Sequence, residues 1–151
     1  MLRSFLIGLV AGARSMTPLA AVSLAARFDR LPTGRGFHPL LGSTPAAGGA
    51  TALAAGELAG DKLPSAPDRI VPAGMLARLA TGAIAGAALA PRGRTVAGAV
   101  TGAAAATAAA YVSFDLRMPA LRRFGQTPSG LVEDALCLGA AALIVLWPEE
   151  R

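Results

Sequence analysis

Six ionisable side chains stand inside otherwise apolar stretches of this chain: Arg14, Glu57, Asp61, Arg78, Glu133 and Asp134. Carboxylates take up protons and bind cations, whereas an arginine stays ionised and pairs bidentately with a carboxylate. Glu57 and Asp61 are i,i+4 and share one face of a helix, where their repulsion favours a proton on one of them. Lys62 follows directly. Glu133 and Asp134 are adjacent and point about 100° apart on a helix, a poor acid–base pair by themselves. Arg14 lies in GLVAGARSMTPLAA (8–21), four residues before Pro18. Proline removes one helical hydrogen bond and disfavours α geometry at the preceding residue, here Thr17. The stretch Ser15-Met16-Thr17-Pro18 therefore predicts a kinked or broken helix, with Arg14 holding a polar site at the break.

Five apolar segments must position these groups: 5–26, 45–61, 70–90, 95–114 and 129–147. Each is close to the ~17–25 residues that cross a bilayer as a helix. Three connections are rich in Pro, Gly and charge, namely FDRLPTGRGFHPLLGST, KLPSAPDR and DLRMPALRRFGQTP; the fourth, PRGR, is a tight turn between two antiparallel helices. At 1.5 Å per residue, Arg14, Glu57 and Arg78 fall roughly 12–13 Å from one face, and Asp61, Glu133 and Asp134 roughly 6–8 Å. All six converge on one half of the bilayer. The expected pairs are Arg14 with Glu57 and Arg78 with Glu133. Four carboxylates against two arginines leave a deficit of two positive charges, which protons, a small cation or Lys62 would fill.

Composition agrees with this plan. Hydrophobic residues make up 54% of the 151, charged residues 15%, and the mean hydropathy is +0.54. A soluble domain carries about a quarter charged residues. The apolar content is mostly Ala, Leu, Val and Gly, which bury little area each but suit close helix packing in lipid. GxxxG pairs at Gly8/Gly12, Gly56/Gly60, Gly82/Gly86 and Gly98/Gly102 fit such packing, or a homodimer. The expected setting is a multi-pass protein of a bacterial inner membrane, with the lipid bilayer as its main partner.

Residues 8–27 and 98–117 match at an offset of 90, through Gly8/Gly98, Val10/Val100, Gly12/Gly102, Ala13/Ala103, Thr17/Thr107, Ala20/Ala110, Val22/Val112, Ser23/Ser113 and Arg27/Arg117. GSTP (42–45) and GQTP (125–128) follow the two copies. One helix pair is repeated around a central helix, and an odd number of intervening crossings inverts the second copy, a plan known from transporters. The repeat makes the first segment part of the fold rather than a signal peptide, although MLR, SFLIGLV and Ala11-Gly12-Ala13 resemble one. The twelve basic residues outside the spans divide evenly, with Arg3, Lys62, Arg69, Arg117, Arg122 and Arg123 on one side and Arg27, Arg30, Arg35, Arg92, Arg94 and Arg151 on the other, so orientation is not readable.

The formal net charge of +5 does not indicate a nucleic-acid partner, because the basic residues form no stripe and aromatics are scarce. GxSxG, Walker A, GxGxxG and HExxH motifs are absent, and the single cysteine, Cys137, makes neither a disulfide nor a metal cage. No cofactor or catalytic residue is expected. A metal-dependent enzyme of lipid headgroups would need the acids to bind a divalent ion.

The segments GARSMTPLA (12–20), GELAGDKLPSAPDRIVPAGMLAR (56–78), GAIAGAAL (82–89) and LVEDALCLGAAALIV (131–145) resemble the "domain of unknown function 4126" family of small bacterial membrane proteins. The resemblance covers most of the chain and implies a multi-helix membrane fold with no established substrate. The GxRSMTP motif maps onto Gly12, Arg14, Ser15, Met16, Thr17 and Pro18, and the acidic motifs onto Glu57, Asp61, Lys62, Pro64, Glu133 and Asp134. The expectation is one all-α integral membrane domain over 1–151, with five crossing helices and an inverted two-helix repeat. Its function is that of a channel or transporter for a cation or a proton-coupled solute. The alternative is a scaffold or accessory subunit whose charges only fix helix register.

Overall fold

A computed structural model describes residues 1–31, 38–60 and 71–147. The described residues are all-helical: α1 (Leu2–Ala13), α2 (Met16–Arg27), α3 (His38–Leu41), α4 (Thr44–Gly60), α5 (Pro72–Ala88), α6 (Thr95–Phe124) and α7 (Gln126–Leu146). Pro72 opens α5, where its missing N–H costs nothing. The PRGR turn closes with Arg94 N–H donating to Pro91 O, and Gly93 takes φ +76°.

The first apolar segment is broken where Arg14 and Pro18 predict it. Arg14 is extended (φ −136°, ψ 108°), Ser15 is the N-cap of α2, and Pro18 falls in the first turn of α2, where a proline is tolerated. The expectation of one crossing over 5–26 is corrected, because α2 turns back. Arg3 donates to Ile144 O and Val145 O while Arg14 meets Asp134, so α7 runs antiparallel to α1. Thr17 through Ala25 of α2, with Phe28 just past its end, then line one groove with Leu138 through Leu146 of that same stretch of α7, and Val22, Ala25 and Ala26 share a core with Ile7 and Val10. Thus α1 and α2 form a helical hairpin with Arg14 and Ser15 at its tip.

The remaining helices run between the two ends of the bundle. Arg27 bonds Thr44 and Ser15 bonds Glu57, so α4 travels from the hairpin's base to its tip. Arg78 reaches Gly12 near the start of α5, which returns to the base, and α6 and α7 complete a second passage up and back. Arg3 and Arg27 consequently lie at the same end, which moves Arg3 from the side expected for it; Arg35, Lys62, Arg69 and Arg151 lie outside the described residues. The counterpart stretch 98–117 lies within one unbroken helix, so the 2+1+2 plan with matching copies is not what these helices adopt. The physical reason is local: Ala104 and Ala108 stand at the positions of Arg14 and Pro18. Helix α6 also runs ten residues past its expected end at 114, because Leu, Arg, Met and Ala favour helix even though Pro119 removes one hydrogen bond. Gly125, at φ +84°, ends it.

Packing relies on small residues. α1, α5 and α6 meet backbone to backbone, and a Cβ added at Gly102 would stand 2.2 Å from Gly82 O, while one at Gly12 would stand 2.5 Å from Ala106 O. Three of the GxxxG pairs lie in this contact; Gly56 and Gly60 face nothing within 4 Å. The buried apolar residues are mostly alanine, whereas Leu2, Leu76, Val96, Leu116, Leu136 and Leu143 point outward. Helices α6 and α7 are long and apolar enough to cross a membrane, and α1 is a shorter apolar helix.

Candidate functional site at the hairpin tip

The broken segment creates two bare helix ends side by side. A helix C-terminus carries unsatisfied carbonyls and partial negative charge, a helix N-terminus unsatisfied N–H groups and partial positive charge. Each meets a side chain of opposite sign. At the end of α1, Arg78 Nε donates to Gly12 O and Nη1 to Gly74 O, both at 3.0 Å. At the start of α2, the Glu57 carboxylate accepts from Ser15 N (2.9 Å) and Ser15 Oγ (2.8 Å) at Oε1, and from Met16 N (2.8 Å) at Oε2. Glu57 is thus an N-cap supplied in trans by α4. Side-chain caps are worth about 0.5–2 kcal/mol, and hydrogen bonds to a charged group about 1.5–3 kcal/mol each.

Arg14 is 1% exposed and points to α7 rather than α4. Its Nη2 lies 2.5 Å from Asp134 Oδ1 and 3.8 Å from Glu133 Oε2. Glu133 Oε2 is also 4.0 Å from Arg117 Nη1. The expected Arg14–Glu57 pair is therefore corrected: the extended Arg14 backbone sends the guanidinium towards Glu133 and Asp134, and Glu57 takes the bare N–H groups instead. Arg78, the expected partner of Glu133, donates to the main-chain carbonyls of Gly12 and Gly74.

Of the sequence-derived candidates, Arg14, Ser15, Thr17, Pro18, Glu57, Arg78, Glu133 and Asp134 come together at or next to the tip. Asp61 and Lys62 lie outside the described residues. Thr17 is buried, and its Oγ1 makes no hydrogen bond among the described residues. Pro18 is buried and leaves one fewer N–H to satisfy at the start of α2. Sequence reasoning placed Arg117 in a loop and so missed it; its match to Arg27 in the repeat was the available signal. With Arg117 included, three arginines (14, 78, 117) and three carboxylates (57, 133, 134) gather among the described residues; the expected deficit of positive charge also counted Asp61, which lies outside them. No group of three or more His, Cys, Asp or Glu among the described residues is placed to hold a metal ion.

The arrangement holds a carboxylate on main-chain N–H donors at a helix break, with Arg117, Glu133, Arg14 and Asp134 alternating in charge beside it. Protonating Glu57 would remove the charge that strengthens its hydrogen bonds and leave an anion-favouring helix end. No curated protein and no solved structure matches the chain. The family described as "Domain of unknown function (DUF4126)" matches over residues 1–150, and the chain belongs to that family.

Proposed function

We propose that this chain is a multi-pass inner-membrane protein that moves a small anion together with a proton through the site at the hairpin tip. In this reading α4, α5, α6 and α7 cross the bilayer, and the α1–α2 hairpin enters from one side and reaches about 18 Å along its twelve-residue arms. Lipid accounts for the inside-out distribution of side chains, with alanine and glycine buried and leucine, valine and phenylalanine outside. Non-helical backbone at such depth persists only where protein buries it or a wet cavity adjoins it.

The observation that carries the reading is the seat of Glu57. Broken helices in transporters aim their N-termini at anionic substrates. Here an internal carboxylate fills that place through Ser15 and Met16. A proton arriving on Glu57 adds one positive charge to the cluster, and an anion offsets it. Glu57 is the gate, Ser15 and Met16 supply the donors, and Arg14 with Asp134 holds the tip rigid.

A second reading, a scaffold or accessory subunit without transport, draws on one specific observation: the charges of the described cluster already balance. Proteoliposomes loaded with a pH-sensitive dye separate the two. Gradients of chloride, nitrate or phosphate are expected to acidify the interior with the wild-type protein for one of these anions. Glu57→Gln is expected to abolish that acidification while lowering stability by no more than about 2 kcal/mol, the range of a lost cap. Failure of every anion to move protons, joined to a variant that melts far lower than a lost cap explains, would establish the scaffold.

A further inference from the structure

A groove of about 930 Å³ runs along the outer face of α2 between α4 and α7, and it is separate from the charge cluster. Its walls are Ala20, Ala21, Leu24 and Ala25 of α2, Ala54, Ala55 and Leu58 of α4, and Leu138, Ala141 and Ala142 of α7. They are apolar almost throughout. The hydroxyl of Thr51 donates back to Ala47 O and is already satisfied, and that of Thr17, at the inner end, is buried. The mouth lies at the hairpin's base, where Phe28 and Arg30 complete the lining. Arg30 is exposed, and among the described residues its guanidinium makes no ion pair or hydrogen bond.

We propose that this groove seats the acyl chain of an anionic phospholipid whose phosphate rests on Arg30. The inference depends on the membrane reading above but not on transport. The helical stretch from Thr17 to Arg27 rises about 15 Å, which matches the ~15 Å depth of one hydrocarbon leaflet. A chain entering from the leaflet at the hairpin's base therefore fills the groove from mouth to tip. A planar guanidinium at the mouth suits a phosphate oxygen pair, and the apolar walls suit nothing charged. The bound chain would press on α2 from outside, next to the cap that Glu57 places on its first turn.

The only tryptophan, Trp147, follows groove residue Leu146 and is exposed, which makes it a reporter. Wild-type protein would be reconstituted in phosphatidylcholine vesicles containing increasing fractions of a phosphatidylglycerol brominated on its acyl chains, or of the equally brominated phosphatidylcholine. Trp147 quenching by the anionic lipid is expected to show a preference of about fivefold, the value of one basic residue at an anionic surface, about 1 kcal/mol. Arg30→Gln is expected to erase the preference for charge, and Ala142→Phe, which fills the groove, to reduce the quenching by both lipids. Equal quenching by the two lipids, unchanged by Ala142→Phe, would overturn the site while leaving the membrane reading intact. Absence of quenching by either lipid would overturn the membrane reading as well. A disulfide-linked dimer formed efficiently by Ala142→Cys in a Cys137→Ser background would assign the groove to a second copy instead, also against the proposal.

Discussion

Arg14→Met is expected to be the most damaging single substitution on the charge cluster, lowering stability by about 3–5 kcal/mol. The residue is 1% exposed and Asp134, which it meets, is 6% exposed, so removing the guanidinium takes a counter-charge away from a buried carboxylate that water does not reach to compensate. Methionine keeps much of the side chain's volume, which confines the effect to charge rather than packing. Chemical unfolding in detergent, followed by far-ultraviolet circular dichroism, would read the loss. The double variant Arg14→Met with Asp134→Leu provides the control: it removes both charges, and a substantial part of the stability is expected to return. A single variant that unfolds with the wild type would mean that Arg14 does not hold the tip. The comparison with Glu57→Gln is also informative. Glu57 is only partly buried and caps a helix end, so its loss is expected to be much the smaller of the two.

The difference between these two carboxylate partners was not legible in the sequence. Spacing and depth brought Arg14, Glu57, Arg78, Glu133 and Asp134 into one half of the bilayer, and the helices of the structure gather them at the hairpin tip. What spacing could not supply was direction. Assigning Arg14 to Glu57 rested on equal depth alone, as if two opposite charges at one level simply meet. Once the backbone extends at Arg14, the bare N–H groups of Ser15 and Met16 compete for Glu57, and the guanidinium reaches α7. Pro18 announced a break but not its angle; a kink and a hairpin have the same hydropathy, and only packing against α5 and α7 distinguishes them. The extension of α6 to Phe124 was missed for a related reason, since apolar length marks where lipid would end and not where a helix ends. The small-residue pattern was more readable, because GxxxG reports a backbone approach that needs no knowledge of direction.

That pattern supports the second large effect. Gly102→Ala is expected to destabilise the bundle by about 1–3 kcal/mol, the range for overpacking a well-filled core. The added Cβ would lie 2.2 Å from Gly82 O and 3.0 Å from Gly86 Cα, and both neighbours are main chain, so neither yields by turning a side chain. Helices α1, α5 and α6 all meet at this point: a Cβ at Gly8 would lie 2.5 Å from Gly102 O, and relieving the clash moves α5 away from α6 at the level where α1 also leans on it. Gly56→Ala offers the matched control on α4. It alters the same motif by the same methyl group, yet the added Cβ meets nothing within 4 Å. Alanine is the better helix former by about 0.5–1 kcal/mol, so this variant is expected to be neutral or slightly stabilised. The pair separates packing within one chain from association between chains. If Gly56→Ala instead loses stability in a manner that depends on protein concentration, the open face of α4 is a contact between copies, and the packing role of that GxxxG pair lies between molecules.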